Sequence, residues 1–343
     1  MLTRTFQRIE IGGGGGYTTI RFPNWSRRAL LFSALLASLP YPAHAQAPRG
    51  TLVHEATIRV APDKTSAKLG TANRGDTIVV LDSTHDWAHV EATVTEPNRE
   101  DIELGDEPKT ISGWIIAKAL INPGTPNGDR IIFGEAADSE DEASRRHGRR
   151  SAARDAMRLY YRVYEIFPNS PLAAEALYRA ADIRWQIERT DVMSRPSASQ
   201  RDSYLRGQMD EEWMKLVVKK FPSTKWADLA AYHFIENKLC GDWEGLPKCP
   251  EKEADLYEKY AQEHPQSPAA PEALYNAATR YAALIEIYRT LPNQKKSDES
   301  KGRALALAQK ILSDYAQSDW AQRAQRLTFY VQQGVPTYGN YDD

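Results

Sequence analysis

Only two cysteines occur in 343 residues, which excludes a disulfide-dense scaffold and any four-thiolate zinc or iron–sulfur centre. A strong excess of one charge is missing as well. With 44 Lys and Arg against 46 Asp and Glu, the formal charge is −2, so the chain is not a globally basic binder that neutralises many nucleic-acid phosphates. No Gly-x-x-x-x-Gly-Lys-[Ser/Thr], Gly-x-Ser-x-Gly or His-Glu-x-x-His occurs. No cofactor and no metal are therefore expected, and a nucleic-acid partner is not expected either. What is present is a hydrophobic fraction of 41% beside 26% charged residues: enough for a core, and too polar for an integral membrane protein.

The apolar run at residues 29–39 is 11 residues long, whereas a bilayer-spanning helix needs about 20. Arg27 and Arg28 precede it, Pro40 follows, and the small-x-small triplet Ala43-His44-Ala45 closes the segment. A positive flank, a short apolar stretch and small residues before a cut describe a secretory signal peptide over residues 1–45. A buried core helix would not account for the small-x-small ending. No cysteine stands near the cut, so a lipoprotein signal is not expected. The leading 26 residues, with glycines at 12–16, make a long amino-terminal region consistent with a start assigned too far upstream, although the next methionine is Met157. Without residues 1–45 the balance is 39 basic against 45 acidic groups, about −6. The expected product is exported to the periplasm or cell envelope of a bacterium, with no membrane span after cleavage.

Beyond the cut, short β-branched runs alternate with turn residues: Thr57-Ile-Arg-Val60, Thr77-Ile-Val-Val-Leu81, Trp87-Ala-His-Val90 and Gly113-Trp-Ile-Ile116. Ala61-Pro-Asp63 and Asn73-Arg-Gly-Asp76 suit tight turns between them. No helical period competes, so residues 50–122 read as a small all-β module whose short strands curl into a barrel.

Those same residues carry a family resemblance. Ile58-Arg-Val-Ala-Pro62, Leu69-Gly70, Arg74-Gly-Asp76, Asp86-Trp87-Ala-His-Val90 and Gly113-Trp114-Ile115 together resemble a bacterial SH3 (SH3b) domain. The resemblance implies an SH3-like barrel that binds cell-wall peptide (peptidoglycan) or a protein, without catalysis. It makes Trp87 and Trp114 candidate ligand-binding aromatics; the alternative is that both fill the barrel core. Residues 93–110 depart from the family pattern, with six acids against Arg99 and Lys109. His85 and His89 share strand parity with Trp87, but a lone His pair lacks the ligand count of a metal site.

Residues 123–138, opening on Pro123-Gly-Thr-Pro-Asn-Gly128, read as a linker. Ser139-Glu-Asp-Glu142 then has the form of a capping box that starts a helix. From 139 to 333, amphipathic stretches alternate with a recurring mark: Phe167-Pro-Asn-Ser170, Phe221-Pro-Ser-Thr224, His264-Pro-Gln-Ser267 and Tyr315-Ala-Gln-Ser318. Eight, seven, four and three residues before each mark stand mostly large apolar residues, such as Leu159, Tyr160, Val163 and Tyr164. These offsets share one helical face. Each mark ends on an N-cap residue, and alanines follow three and six positions on, as at Ala173 and Ala176. Tyrosines stand eight past the cap at Tyr178, Tyr232 and Tyr275.

Four such helical hairpins resemble tetratricopeptide-like (TPR-like) repeats, specifically those with aromatic-Pro-x-Ser turns in outer-membrane assembly lipoproteins and in periplasmic coordinators of the Tol-Pal system. The marks lie 54, 43 and 51 residues apart, so the loops are longer than in the usual repeat of about 34. Residues 334–343 are left as a tail. Cys240 and Cys249 flank one extended Gly/Pro-containing loop, and in an oxidising compartment they are expected to form a disulfide contributing about 2.5 kcal/mol; a redox pair would prefer closer spacing. The run Arg145-Arg-His-Gly-Arg-Arg150 reads either as a solvated helix face or as a contact for an anionic partner.

The resulting expectation is a multidomain chain: a small SH3-like barrel, then an all-α helical-hairpin domain. It is expected to be a non-enzymatic scaffold of the cell envelope, with a protein partner on the helices. The alternative is a cell-wall-acting enzyme with its site in the helical domain, which would need convergent carboxylates or histidines in a cleft.

Overall fold

A computed structural model describes residues 49–94 and 109–338. The expected signal segment, most of the acidic insertion and the last five residues of the tail lie outside the described residues. Among the described residues, seven strands come first: β1 (Arg49–Leu52), β2 (Ala56–Arg59), β3 (Lys68–Ala72), β4 (Thr77–Thr84), β5 (Trp87–Val94), β6 (Lys109–Ile116) and β7 (Leu120–Ile121). They form one antiparallel sheet in the order β3-β2-β6-β5-β4-β1-β7, bent into an SH3-like half-barrel. Its core is lined by Leu52, Ile58, Ile78, Val90 and Ile115, with Ala56, Ala72, Ala88 and Ala92 between them. So many alanines leave room for close approach and none for a large ring.

Ten helices follow among the described residues. They are α1 (Gly128–Ser144), α2 (Ala152–Ile166), α3 (Ala173–Ser194), α4 (Ser203–Arg206) and α5 (Glu212–Lys220), then α6 (Lys225–His233), α7 (Lys248–Glu263), α8 (Ala270–Thr290), α9 (Gln294–Asp314) and α10 (Asp319–Gln333). The marks join α2 to α3, α5 to α6, α7 to α8 and α9 to α10, and each pair packs together. Seven and four residues before each mark, Tyr160 and Val163, Met214 and Val217, Tyr257 and Tyr260, Ala308 and Ile311 are all buried. Of the eight small residues facing them, only Ala321 escapes full burial. Bulky residues on one helix against alanines on the next let the two axes approach.

The caps differ in detail. Thr224 accepts a hydrogen bond from the Ala227 amide, three residues on, as a helix N-cap does. In the proline-containing copies, Ser170 and Ser267 instead accept from the amides two residues on, Leu172 and Ala269. Their helices begin at Ala173 and Ala270. Proline supplies no N–H, so the serine first closes a turn and the helix starts two residues later than after Thr224.

The expected linker is a correction. Only 122–127 turn; α1 begins at Gly128, because Ile132 and Ala136 bury completely. Ser139 consequently stands inside α1 and donates to the Glu135 carbonyl, so it caps nothing. The basic run is corrected too: 145–150 form the loop between α1 and α2, not a helix face. Barrel and helices are also not separate beads. Val53 and Ile121 of the barrel share one buried cluster with Ile132, Leu159, Tyr160 and Ala180.

Candidate functional site

Two sides of the barrel have different fates, and strand alternation decides which residues go where. Ala88, Val90 and Ala92 face the core, so Trp87, His89 and Glu91 project from the other face of β5. Ile115 is buried, so Trp114 and Ile116 project outward from β6. The alternative in which both tryptophans fill the barrel core therefore fails: each is half-buried on the outer face.

Cross-strand register orders that face. One row runs Asp82, His89, Trp114, Arg59 across β4, β5, β6 and β2. The next row holds Thr84, Trp87 and Ile116, and the row on the other side holds Val79, Glu91 and Ser112. The His89 ring stacks on Trp114 at 5.0 Å between centroids, with planes 22° apart, and the Ser112 hydroxyl lies 3.3 Å from its Nε2. Arg59 is turned aside, donating to the Ser66 carbonyl at 2.6 Å. Ile116 adds exposed apolar surface beside Trp87. His85 sits apart from this array, in the turn between β4 and β5 at a φ of 49°, so the two histidines do not converge.

The opposite fate falls to the turn Asn73-Arg-Gly-Asp76, which the family resemblance marked but which gives no hint of a partner in sequence. It is pressed against α1 and α2. Gly75 has a φ of +74°, and a Cβ there would sit 2.5 Å from the Arg158 Cβ, so both the backbone conformation and the close approach require glycine. Arg162 donates through Nε to the Gly75 carbonyl at 2.9 Å. Asp76 is buried; its Oδ2 accepts from the Asn73 amide, and Arg158 stands 3.5 Å from its Oδ1. Arg74 reaches Ser139 and Glu135 on α1.

Desolvation at this seam raises the Asp76 pKa above 3.8, against the opposing pull of the Asn73 amide and of Arg158 and Arg162. The folded state thus binds this proton more tightly than the unfolded chain. The contribution of Asp76 to stability therefore grows as pH falls from neutral through the raised value, and it levels off below 3.8. The denaturant midpoint of the native chain should therefore rise relative to that of Asp76→Asn as pH falls from neutral towards 3.8. A constant offset between them would contradict a shifted Asp76.

Several ionisable groups elsewhere are engaged in structure. The basic loop lies beside a hollow of about 500 Å³ with Asp138, Asp141 and Glu142. There Arg145 pairs with Asp141, and Arg149 pairs with Glu142 and Asp155. Glu272, raised by desolvation, is opposed by a hydrogen bond from the Tyr232 hydroxyl, which also accepts from Asn276. Cys240 and Cys249 are joined as a disulfide. Asp202 lies close to both sulfurs, but bonded sulfurs are not the thiolates a metal takes.

Of the functional candidates, sequence placed Trp87 and Trp114 without saying which face they occupy. It missed Arg59 and Ile116 as their neighbours, and the signal for those was strand parity alone. Residues 54–121 match the bacterial SH3 domain family. No curated protein matches the chain. A solved structure described as a DHF79 filament aligns with 58% of this chain and 83% of its own, at 15% identity and a TM-score of 0.18, too low to bear on the fold.

Proposed function

We propose that this chain is an exported, non-enzymatic interaction protein of the bacterial cell envelope, in which the sheet face around Trp87, His89 and Trp114 binds cell-wall peptide and the helices hold a protein partner. One observation carries the reading. The barrel spends its Asn73-to-Asp76 turn on the helices and leaves its aromatic face open. Half-buried tryptophans on an exposed sheet face are characteristic of binding faces. The bacterial SH3 match supports a wall or protein ligand for that face, and a TPR-like reading of the hairpins supports a protein partner for the helices.

Joining the two through a shared core holds the ligand face in a fixed orientation to the helical platform, so binding at one places the other without the freedom of a flexible tether. A non-enzymatic role draws support from the carboxylates with raised pKa. Asp76 is committed to the seam and Glu272 to the Tyr232 hydroxyl.

Retention on purified peptidoglycan sacculi tests the wall reading. The full chain should sediment with sacculi, and Trp114→Ala should reduce the bound fraction by about tenfold, as loss of an aromatic anchor does. Equal retention of the two proteins, or none of either, would sink it.

A further inference from the structure

We infer that the loop closed by Cys240 and Cys249 is a peptide-binding site that takes a tyrosine side chain, and that the chain's own Tyr338 occupies it in cis. The site lies apart from the outer sheet face and does not depend on what that face binds. It is built on a tight turn. The Leu246 amide donates to the Trp243 carbonyl at 2.8 Å, and Glu244 and Gly245 between them have φ of 51° and 74°. Positive φ at both central residues is the signature of a type I′ turn, which leaves the amide of its third residue outside the turn's own hydrogen bond. That third residue is Gly245, and among the described residues its N–H has one acceptor, the Tyr338 hydroxyl at 2.9 Å. The Tyr338 ring stacks on Trp243, with 5.9 Å between centroids and planes 12° apart. One phenol thus meets an indole and a backbone donor together.

The receiving half is fixed from several sides. The disulfide closes the loop, and Glu253 accepts from the Cys240 amide and from the Trp243 indole. Arg280 stands over the Trp243 ring at 5.8 Å and is itself paired with Glu253. An indole and an amide held in place beforehand lose little ordering entropy to a ligand. The occupying half is a short strap. Gly334, at a φ of +69°, ends α10, and the Val335 amide bonds back to the Tyr330 carbonyl. Val335 and Pro336 are exposed, whereas Tyr338 is half-buried. Among the described residues, that tip is seated by one ring stack and one neutral hydrogen bond, contacts weak enough to exchange. Leu246, the last residue of the turn, stays 57% exposed and offers apolar surface to an incoming peptide. A peptide that presents tyrosine here displaces the strap, so the tail is a built-in competitor. The hydroxyl makes the seat selective: phenylalanine would stack as well but leave the Gly245 N–H without an acceptor.

The test uses the full chain and two probes, acetyl-Val-Pro-Thr-Tyr amide and the same peptide ending in phenylalanine amide. Binding is read from the Trp243 indole and Gly245 amide resonances. Tyr338→Ala empties the seat, and the tyrosine peptide should then shift both signals saturably. The native chain should bind that peptide at least about tenfold more weakly, because the tethered strap competes at high effective concentration. The phenylalanine peptide should bind Tyr338→Ala about fivefold more weakly than the tyrosine peptide, the effect of one unmade hydrogen bond. Tyr338→Phe, which removes a single oxygen, should speed hydrogen exchange at the Gly245 amide about fivefold while leaving the circular dichroism unchanged. The inference is overturned by any one of four results: no saturable binding to Tyr338→Ala, equal binding to the native chain, equal affinity for the two peptides, or unchanged Gly245 exchange in Tyr338→Phe. The sacculus assay reads a different surface. Retention that depends on Trp114, beside a silent peptide titration, removes this site and leaves the sheet face standing.

Discussion

Glu253→Ala should cost about 3–5 kcal/mol, the loss typical of removing one partner from a buried ion pair. Glu253 is 1% exposed and holds three donors at once. Its Oε1 accepts from the Cys240 amide at 2.9 Å and from the Trp243 indole at 3.4 Å, and its Oε2 accepts from the Arg280 Nε at 3.1 Å. Arg280 also lies over the Tyr257 ring at 4.9 Å. Alanine would leave a half-buried guanidinium and two N–H groups without their acceptor, and the disulfide loop would lose its tie to α7 and α8. The covalent link alone is worth about 2.5 kcal/mol on a chain-entropy account. Glu253→Ala should therefore destabilise at least as much as the Cys240→Ser, Cys249→Ser pair. Removing both charges, in Glu253→Leu with Arg280→Met, should recover most of the loss. Urea midpoints at constant m-value check all three. A loss below about 1 kcal/mol for Glu253→Ala would show that the loop is held by other contacts.

Leu159→Ala should destabilise barrel and helices together, by about 2.7–5 kcal/mol. Leu159 is fully buried in the cluster that contains Val53 and Ile121 from the barrel and Ile132 and Ala180 from the helices. A cavity there removes packing from both sides of the junction. If the junction transmits stability, native-state hydrogen exchange should accelerate to a similar extent at Val90 in the barrel core and at Ala180 in α3. Faster exchange at Ala180 with unchanged protection at Val90 would mean that the barrel folds independently. The shared core would then be contact without coupling.

Much of the architecture is legible locally because its signals repeat. Four turn marks with alanines at fixed offsets predict four hairpins, and burial at Tyr160, Met214, Tyr257 and Ala308 follows from the same offsets. The linker misled because Pro123 and Gly124 dominate its composition, while the burial of Ile132 is visible only once α2 lies beside it. The site was half legible. An aromatic pair in a bacterial SH3-like segment draws attention to Trp87 and Trp114, but a Trp in a strand reads equally well as core or surface until register is known.

By itself, the sequence determined the β-then-α order, the hairpin boundaries and the loop in which the two cysteines face each other, because turn chemistry and helical period act over a few residues. Only the tertiary structure decided that the tryptophans line an open face, that the Asn73-to-Asp76 turn is consumed as a joint, and that Glu253 anchors the disulfide loop. Each of these depends on partners 13 to 87 residues away, such as the Glu253 contact with Cys240 and the Arg162 contact with Gly75. No local propensity encodes which distant surface a side chain will meet; competition for burial across the whole chain does.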